Sequence, residues 1–131
     1  MNLPNNTIIA SGPVIIEDAK VLLNKEQKEG YVTPWMFPGG QVENLNETLE
    51  QACKREVAEE MNIDIKIIKP LRTLLVKRPD SEGYAILAHY LAERIGEIKL
   101  GEGVVEYGWH DINNLPDDCT PNVYEIIKDL K

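Results

Sequence analysis

The chain has 131 residues, 43% of them hydrophobic and 27% charged, with a formal net charge of −8. That is the length of one domain able to bury a genuine core, in an ordinary globular composition. The acidic balance offers no lysine and arginine stripe to a nucleic-acid backbone, and a small anionic substrate fits only if a metal carries the positive charge.

The opening MNLPNNTIIASG has no basic stretch or long apolar run, so no signal peptide is read there. No segment approaches the roughly 20 apolar residues of a spanning helix. Cys53 and Cys119 have neither disulfide-framework nor zinc spacing. A cytoplasmic protein without a membrane partner is expected. Residues 7–16 and 20–24 read as strands around a short turn, followed by a polar loop over 25–34. Trp35-Met36-Phe37 reads as a short apolar strand stopped by Pro38-Gly39-Gly40. The most helical stretch covers about 47–61. Residues 63–68, 72–78, 84–95 and 104–112 follow as strands, with a hairpin turn at PDSEG. Val123, Ile126, Ile127 and Leu130 then recur at helical spacing. This order predicts an α/β (α+β) sandwich, a mixed sheet flanked by helices, as one domain over 1–131.

On a helical wheel started at Glu47, Leu49, Ala52, Cys53 and Val57 form one apolar stripe. Glu56, near ~180°, and Glu60, near ~220°, fall inside it, while Glu59, near ~120°, lies on its margin. Glu50 also falls near the stripe and reads as solvated helix-start charge. Ionised carboxylates among buried residues are costly unless paired or bound to a metal, and one arginine, Arg55, cannot neutralise three. A hard divalent cation such as Mg²⁺ would, since it takes oxygen ligands and substrate phosphates together. The plain alternative is a solvated acidic helix edge. The Gly39-Gly40 pair before the helix favours the metal, because backbone there can approach a cation or phosphate closely.

These residues match a known pattern. GGQVENLNETLEQACKREVAEEMNI at 39–63 resembles the Nudix box, G-x5-E-x7-R-E-U-x-E-E-x-G-U, with U aliphatic. Glu47, Arg55, Glu56, Val57, Glu59, Glu60 and Ile63 fall in place, and WMFPGG and VVEYGWHDINNLP look like that family's flanks. Six residues rather than five separate Gly40 from Glu47, and Asn62 stands where the pattern has glycine. Asn is the usual substitute for Gly at a left-handed helix end. The extra loop residue either bulges outward or shifts Gly40, and the bulge is expected because the helix keeps its register.

The resemblance implies an α/β/α fold and an Mg²⁺- or Mn²⁺-dependent hydrolase acting on a nucleoside diphosphate linked to another group. Carried over by position, Glu59, Glu60 and the Gly40 carbonyl look like metal ligands, and Glu56 like a ligand or the water-activating base. Arg55 looks like the residue that orients these carboxylates. Glu47 resembles the helix-start carboxylate that supports the loop or reaches a further metal, and it is a candidate substrate contact. Glu102 and Glu106 are further candidates for the base, a solvent-facing strand residue being the alternative for Glu106. Arg78, Lys25 and Lys28 are candidate phosphate contacts. Asn122, first of all an N-cap-region residue, falls where some relatives place a base-reading Asn. Trp35 and Trp109 read as core rather than base-stacking residues, and His89 and His110 as packing or surface residues. Pro79 stands where ADP-ribose-cleaving relatives carry a proline, though turn chemistry accounts for it. The substrate implied is a nucleoside triphosphate cleaved to the monophosphate, with ADP-ribose or a nucleotide sugar second, by a monomer or homodimer. A non-catalytic nucleotide sensor is the reading of a different class, and the intact box carboxylates oppose it.

Overall fold

The computed structural model describes residues 3–78 and 82–131. Strands β1 (Thr7–Glu17) and β2 (Lys20–Lys28) turn about Asp18 and Ala19, both with positive φ. Thr7–Ile15 of β1 run parallel to β7 (Tyr84–Ile95), while Ile16 and Glu17 pair antiparallel with β2. Strands β5 (Asp64–Pro70) and β6 (Leu74–Lys77) pair with different halves of β7. Around β2 lie β3 (Tyr31–Val32) and β8 (Val104–Asp111), and β4 (Gly40–Gln41) pairs with β1 at Ala10 and Ser11. The sheet is mixed, as expected.

Strand alternation divides the core in two. Ile15 and Leu22 point to one face, where Cys53, Val57 and Met61 of helix α1 (Leu49–Met61) cover them. Val14, Val21 and Leu23 point to the other, beneath Val123, Ile126 and Ile127 of α2 (Pro121–Leu130). The result is the α/β/α sandwich read from the sequence. Helix α1 starts on a capping box in which the Thr48 hydroxyl accepts from the Gln51 N–H and the Gln51 side chain accepts from the Thr48 N–H. It ends at Asn62, left-handed at φ 55° as its position predicts. Neither helix is long and apolar enough to cross a membrane.

The expected loop over 25–34 is in part strand. β2 continues through Lys28, because β8 and β3 hydrogen-bond its backbone and override the weak strand propensity of KEQK. Trp35 and Met36 make only isolated bridges, to Cys119 and Asn24. Pro79 and the next two turn residues lie outside the described residues; before them, the Arg78 N–H donates to the Gly83 carbonyl at 2.8 Å.

Candidate active site

Helix α1 is tied to the sheet at both ends of its buried face. The Ser11 hydroxyl on β1 donates to the Leu49 carbonyl at 2.7 Å, and the Gly39 N–H donates to Glu60 Oε1 at 2.8 Å. Between these ties the glutamates take three environments. Glu60 is buried, with 6% of its surface exposed, and its Oε2 has no hydrogen-bond partner. The Glu56 side chain is 12% exposed, and that of Glu59 is 60% exposed. The wheel ordering thus holds, Glu60 and Glu56 inward and Glu59 at the margin. Glu50, read as solvated charge, accepts from the Tyr90 hydroxyl at 3.1 Å.

Arg55 organises the outer carboxylates. Its Nε and Nη2 grip Glu47 at 2.6 and 2.9 Å, and its Nη1 reaches Glu56 Oε1 at 2.8 Å. Glu59 is a looser neighbour at 3.4 Å. The guanidinium fork holds the Glu47 carboxyl below the usual carboxylate range. Burial pushes the Glu56 carboxyl up, with Arg55 pulling against it.

The carboxylates open on a cleft of about 550 Å³ lined by Gly39, Gly40, Glu26, Lys28, Glu43, Glu56, Glu59, Glu60 and Glu102. Gly40 pairs with Ser11 and packs against the Glu56 carboxylate so closely that a Cβ there would overlap it. The six-residue loop between Gly40 and Glu47 turns outward at its middle. The Asn46 N–H donates to the Asn44 side chain at 3.0 Å in a tight turn that leaves Leu45 fully exposed, while Gly40 keeps its pairing.

Burial pushes the Glu60 carboxyl up to about 8, with repulsion from Glu26 next and then Glu56 adding to it, while the Gly39 N–H opposes. The unfolded carboxyl titrates near 4.5, so the fold holds a proton there that the open chain has lost. Stability of the metal-free protein is therefore expected to fall between pH 7 and pH 8, by at most about 1.4 kcal/mol per pH unit from this one group. His89 and His110 have lowered pKa values from burial, so they add stability only as pH rises toward 6.5 and leave this window clear. Urea denaturation in chelator at the two pH values measures the fall. Glu60→Gln should flatten it.

The other sequence candidates divide between the cleft and the rest of the fold. Glu106 pairs with Lys25, and Lys25 lies 4.8 Å over Trp35 on the α2 side of the sheet. Side chains opposite one another in an antiparallel pair share a face, so Glu106 is on the wrong side of the sheet to join Glu56 and Glu60. Glu102 does line the cleft. It is carried by a loop whose Gly101 N–H donates to the Glu60 carbonyl at 2.7 Å. Asn122 is also on the α2 face, its amide donating to His89 Nε2 at 3.0 Å, with His89 Nδ1 2.9 Å from the Arg72 carbonyl. Arg78, half-buried at the end of β6, is not among the cleft-lining residues. Lys25 is paired with Asp118, and only Lys28 of the candidate cations lines the cleft. Trp35 is core; Trp109 packs partly buried against the α1-side core.

Sequence reasoning missed Glu26 and Asn24. The signal was present in Leu22-x-Asn24-x-Glu26, whose alternation follows Leu22 onto the α1 face.

The family model of the NUDIX domain matches residues 8–130. The chain belongs to the Nudix family. It is 33% identical over 109 residues to an ADP-ribose pyrophosphatase of Methanocaldococcus jannaschii, covering 82% of this chain and 64% of that protein. An 8-oxo-dGTP diphosphatase of Proteus vulgaris is 38% identical over 76 residues, 58% of this chain and 55% of that one. The chain thus spans less than two thirds of the length of these curated relatives. Among solved structures, a MutT NUDIX hydrolase from Burkholderia pseudomallei superposes with a TM-score of 0.85 at 25% identity, covering 95% of this chain and 98% of that one.

Divalent metals such as Mg²⁺ are general in the Nudix family, and the cleft suits one. Its walls supply hard carboxylate oxygens, and the buried Glu60 Oε2 has no partner within the protein. Among the described residues no three acidic or histidine side chains already converge as a coordination shell. Arg55 holds Glu56 and Glu47 by its guanidinium.

Proposed function

We propose that the cleft hydrolyses a pyrophosphate bond in a nucleoside diphosphate linked to another group. The observation that carries this reading is the buried, unpartnered oxygen of Glu60 at the wall of a glutamate-lined cleft. Glu56, Glu59 and Glu60, with the Gly40 carbonyl, would hold Mg²⁺ or Mn²⁺. Bound there, the cation neutralises pyrophosphate oxygens and makes water a stronger nucleophile. If Glu59, Glu60 and the Gly40 carbonyl suffice for the cation, Glu56 is the base that takes the proton from the attacking water, and its half-buried setting then strengthens the carboxyl's hold on that proton. Arg55 acts on Glu56 and Glu47 as a positioning residue. Glu102 is the second candidate for the base, from the facing loop.

The leading substrate reading is a nucleoside triphosphate cleaved to monophosphate and pyrophosphate. Cleavage of ADP-ribose is the second, favoured by the 109-residue match to a protein named for that activity. Lys28 is the phosphate contact of this reading; Arg78 and Asn122 enter it only if substrate extends past the cleft edge.

The test is a Mg²⁺-dependent screen over nucleoside triphosphates, ADP-ribose and dinucleoside polyphosphates, with Glu59→Gln alongside. Turnover that stops in chelator and falls steeply in Glu59→Gln is expected. A wild type that cleaves nothing, or a Glu59→Gln protein at full rate, overturns the reading.

A further inference from the structure

Glu26 presents a physical problem. It is a carboxylate, half-buried, in the wall of a cleft read as a pyrophosphate site, where it should repel the substrate. It arises from β2, not from the helix that carries the other inner carboxylates. The β2–β8 pairing slips between Lys25 and Glu26, so that Glu26 faces Val104 while Lys25 faces Glu106. The extra residue lies on β8, so β2 keeps its alternation and points Leu22, Asn24 and Glu26 to the α1 face. Below Glu26, Asn24 is wholly buried, and neither its Nδ2 nor its Oδ1 completes a hydrogen bond. Beside it the buried Glu60 Oε2 is equally unpartnered. The Asn24 side chain meets the Glu60 carboxylate without completing a hydrogen bond of ordinary length, and buried polar atoms so poorly matched are costly in any fold that gains nothing from them.

We propose that Glu26 and Glu60 form an additional divalent-cation seat at the β2 side of the cleft, with the Asn24 amide beneath it as a positioning residue for Glu60. The seat rests on the reading of this cleft as a divalent-cation site and adds ligands from a strand to those of the helix. It resolves the misplaced charge, because a cation on Glu26 turns a repulsive wall into one that attracts phosphate oxygens. Lys28, 3.6 Å from Glu26, is the cleft-lining cation that already sits on this carboxylate and would compete for it.

The experiment titrates metal-free protein with Mn²⁺, counting free ion by its EPR signal, with no substrate present. Glu26→Gln is expected to bind one Mn²⁺ fewer than wild type. Asn24→Leu should weaken uptake about tenfold or more while its melting temperature holds or rises, because an unmatched buried amide is replaced by an apolar group of similar shape. A purely structural Asn24 would instead lower the melting temperature. Lys28→Gln should tighten uptake by freeing Glu26. The proposal is overturned if Glu26→Gln titrates like wild type, or if Lys28→Gln weakens uptake as Glu26→Gln does, since Glu26 would then act through Lys28. A wild type that binds no Mn²⁺ sinks the cation reading of the whole cleft along with this seat. A wild type that binds normally beside an unchanged Glu26→Gln sinks the seat alone.

Discussion

Arg55→Lys is expected to lower kcat of the proposed hydrolysis about a hundredfold, the scale of loss when a catalytic group is misplaced by about an ångström. The substitution keeps the charge, so the loss isolates geometry. Arg55 grips both oxygens of Glu47 and one of Glu56 through three different nitrogens. A lysine ammonium is a single point and cannot span those carboxylates at once. Glu47 and Glu56, 11% and 12% exposed, would each lose a directed partner. The long contact to the exposed Glu59 contributes little either way. Arg55 acts through other groups, so kcat should fall further than KM rises. The pH profile gives a sign that a structural role would not. Arg55 pulls the Glu56 carboxyl down against its burial, so weakening that pull raises it. The acid limb of the rate profile should therefore move to higher pH. An Arg55→Lys enzyme with wild-type kcat and an unmoved acid limb would show that the fork is dispensable.

How far the site was legible depended on which physical signal each residue carries. Helix α1 declares itself locally, since its stripe, its caps and its carboxylates all lie within 48–62. Reading Glu60 as inward needed only the helical period, and the left-handed end at Asn62 needed only the chemistry of that residue. Glu26 failed for the opposite reason. KEQK has the composition of a loop, and only the distant β8 and β3 make it strand. Without the strand there is no alternation, and without alternation no face. The choice between Glu102 and Glu106 failed in the same way. Both are acidic residues four apart, and nothing local says that Glu106 pairs with Lys25 on the α2 side while Glu102 meets the cleft. Non-local pairing decides which side of a sheet a charge serves, and periodicity cannot supply it. The glycines carry a second role that no local pattern shows. Gly39 lines the cleft as its place before the helix suggests, and its φ of 140° and its closeness to Ser11 and Gly12 make it a crossing point of two backbones as well.

That crossing sets the second large effect. Gly12→Ala is expected to cost about 3 kcal/mol of stability, at the upper end for overpacking, read as a lower urea midpoint at unchanged m. A methyl on Gly12 would overlap the Pro38 carbonyl oxygen and lie 3.2 Å from the Gly39 Cα. Every atom in the way is backbone, so no rotamer change relieves the clash. Strand β1 is held there by its parallel ladder to β7 over Thr7–Ile15, which leaves Pro38 and Gly39 to move. Moving them withdraws the Gly39 N–H from Glu60 Oε1 and shifts Gly40 from the Glu56 carboxylate. Glu60, already buried, would then lose the backbone donor that holds its Oε1. Metal uptake should fall together with stability. Gly30→Ala supplies the comparison, since Gly30 has a positive φ of 84° but nothing within 4 Å of a Cβ. Left-handed strain alone costs about 1–2 kcal/mol, and Gly30 lies at the β2–β3 turn, away from the Pro38–Gly40 crossing and the α1 carboxylates in sequence. If Gly12→Ala is no more destabilising than Gly30→Ala, the backbone crossing does not fix the site.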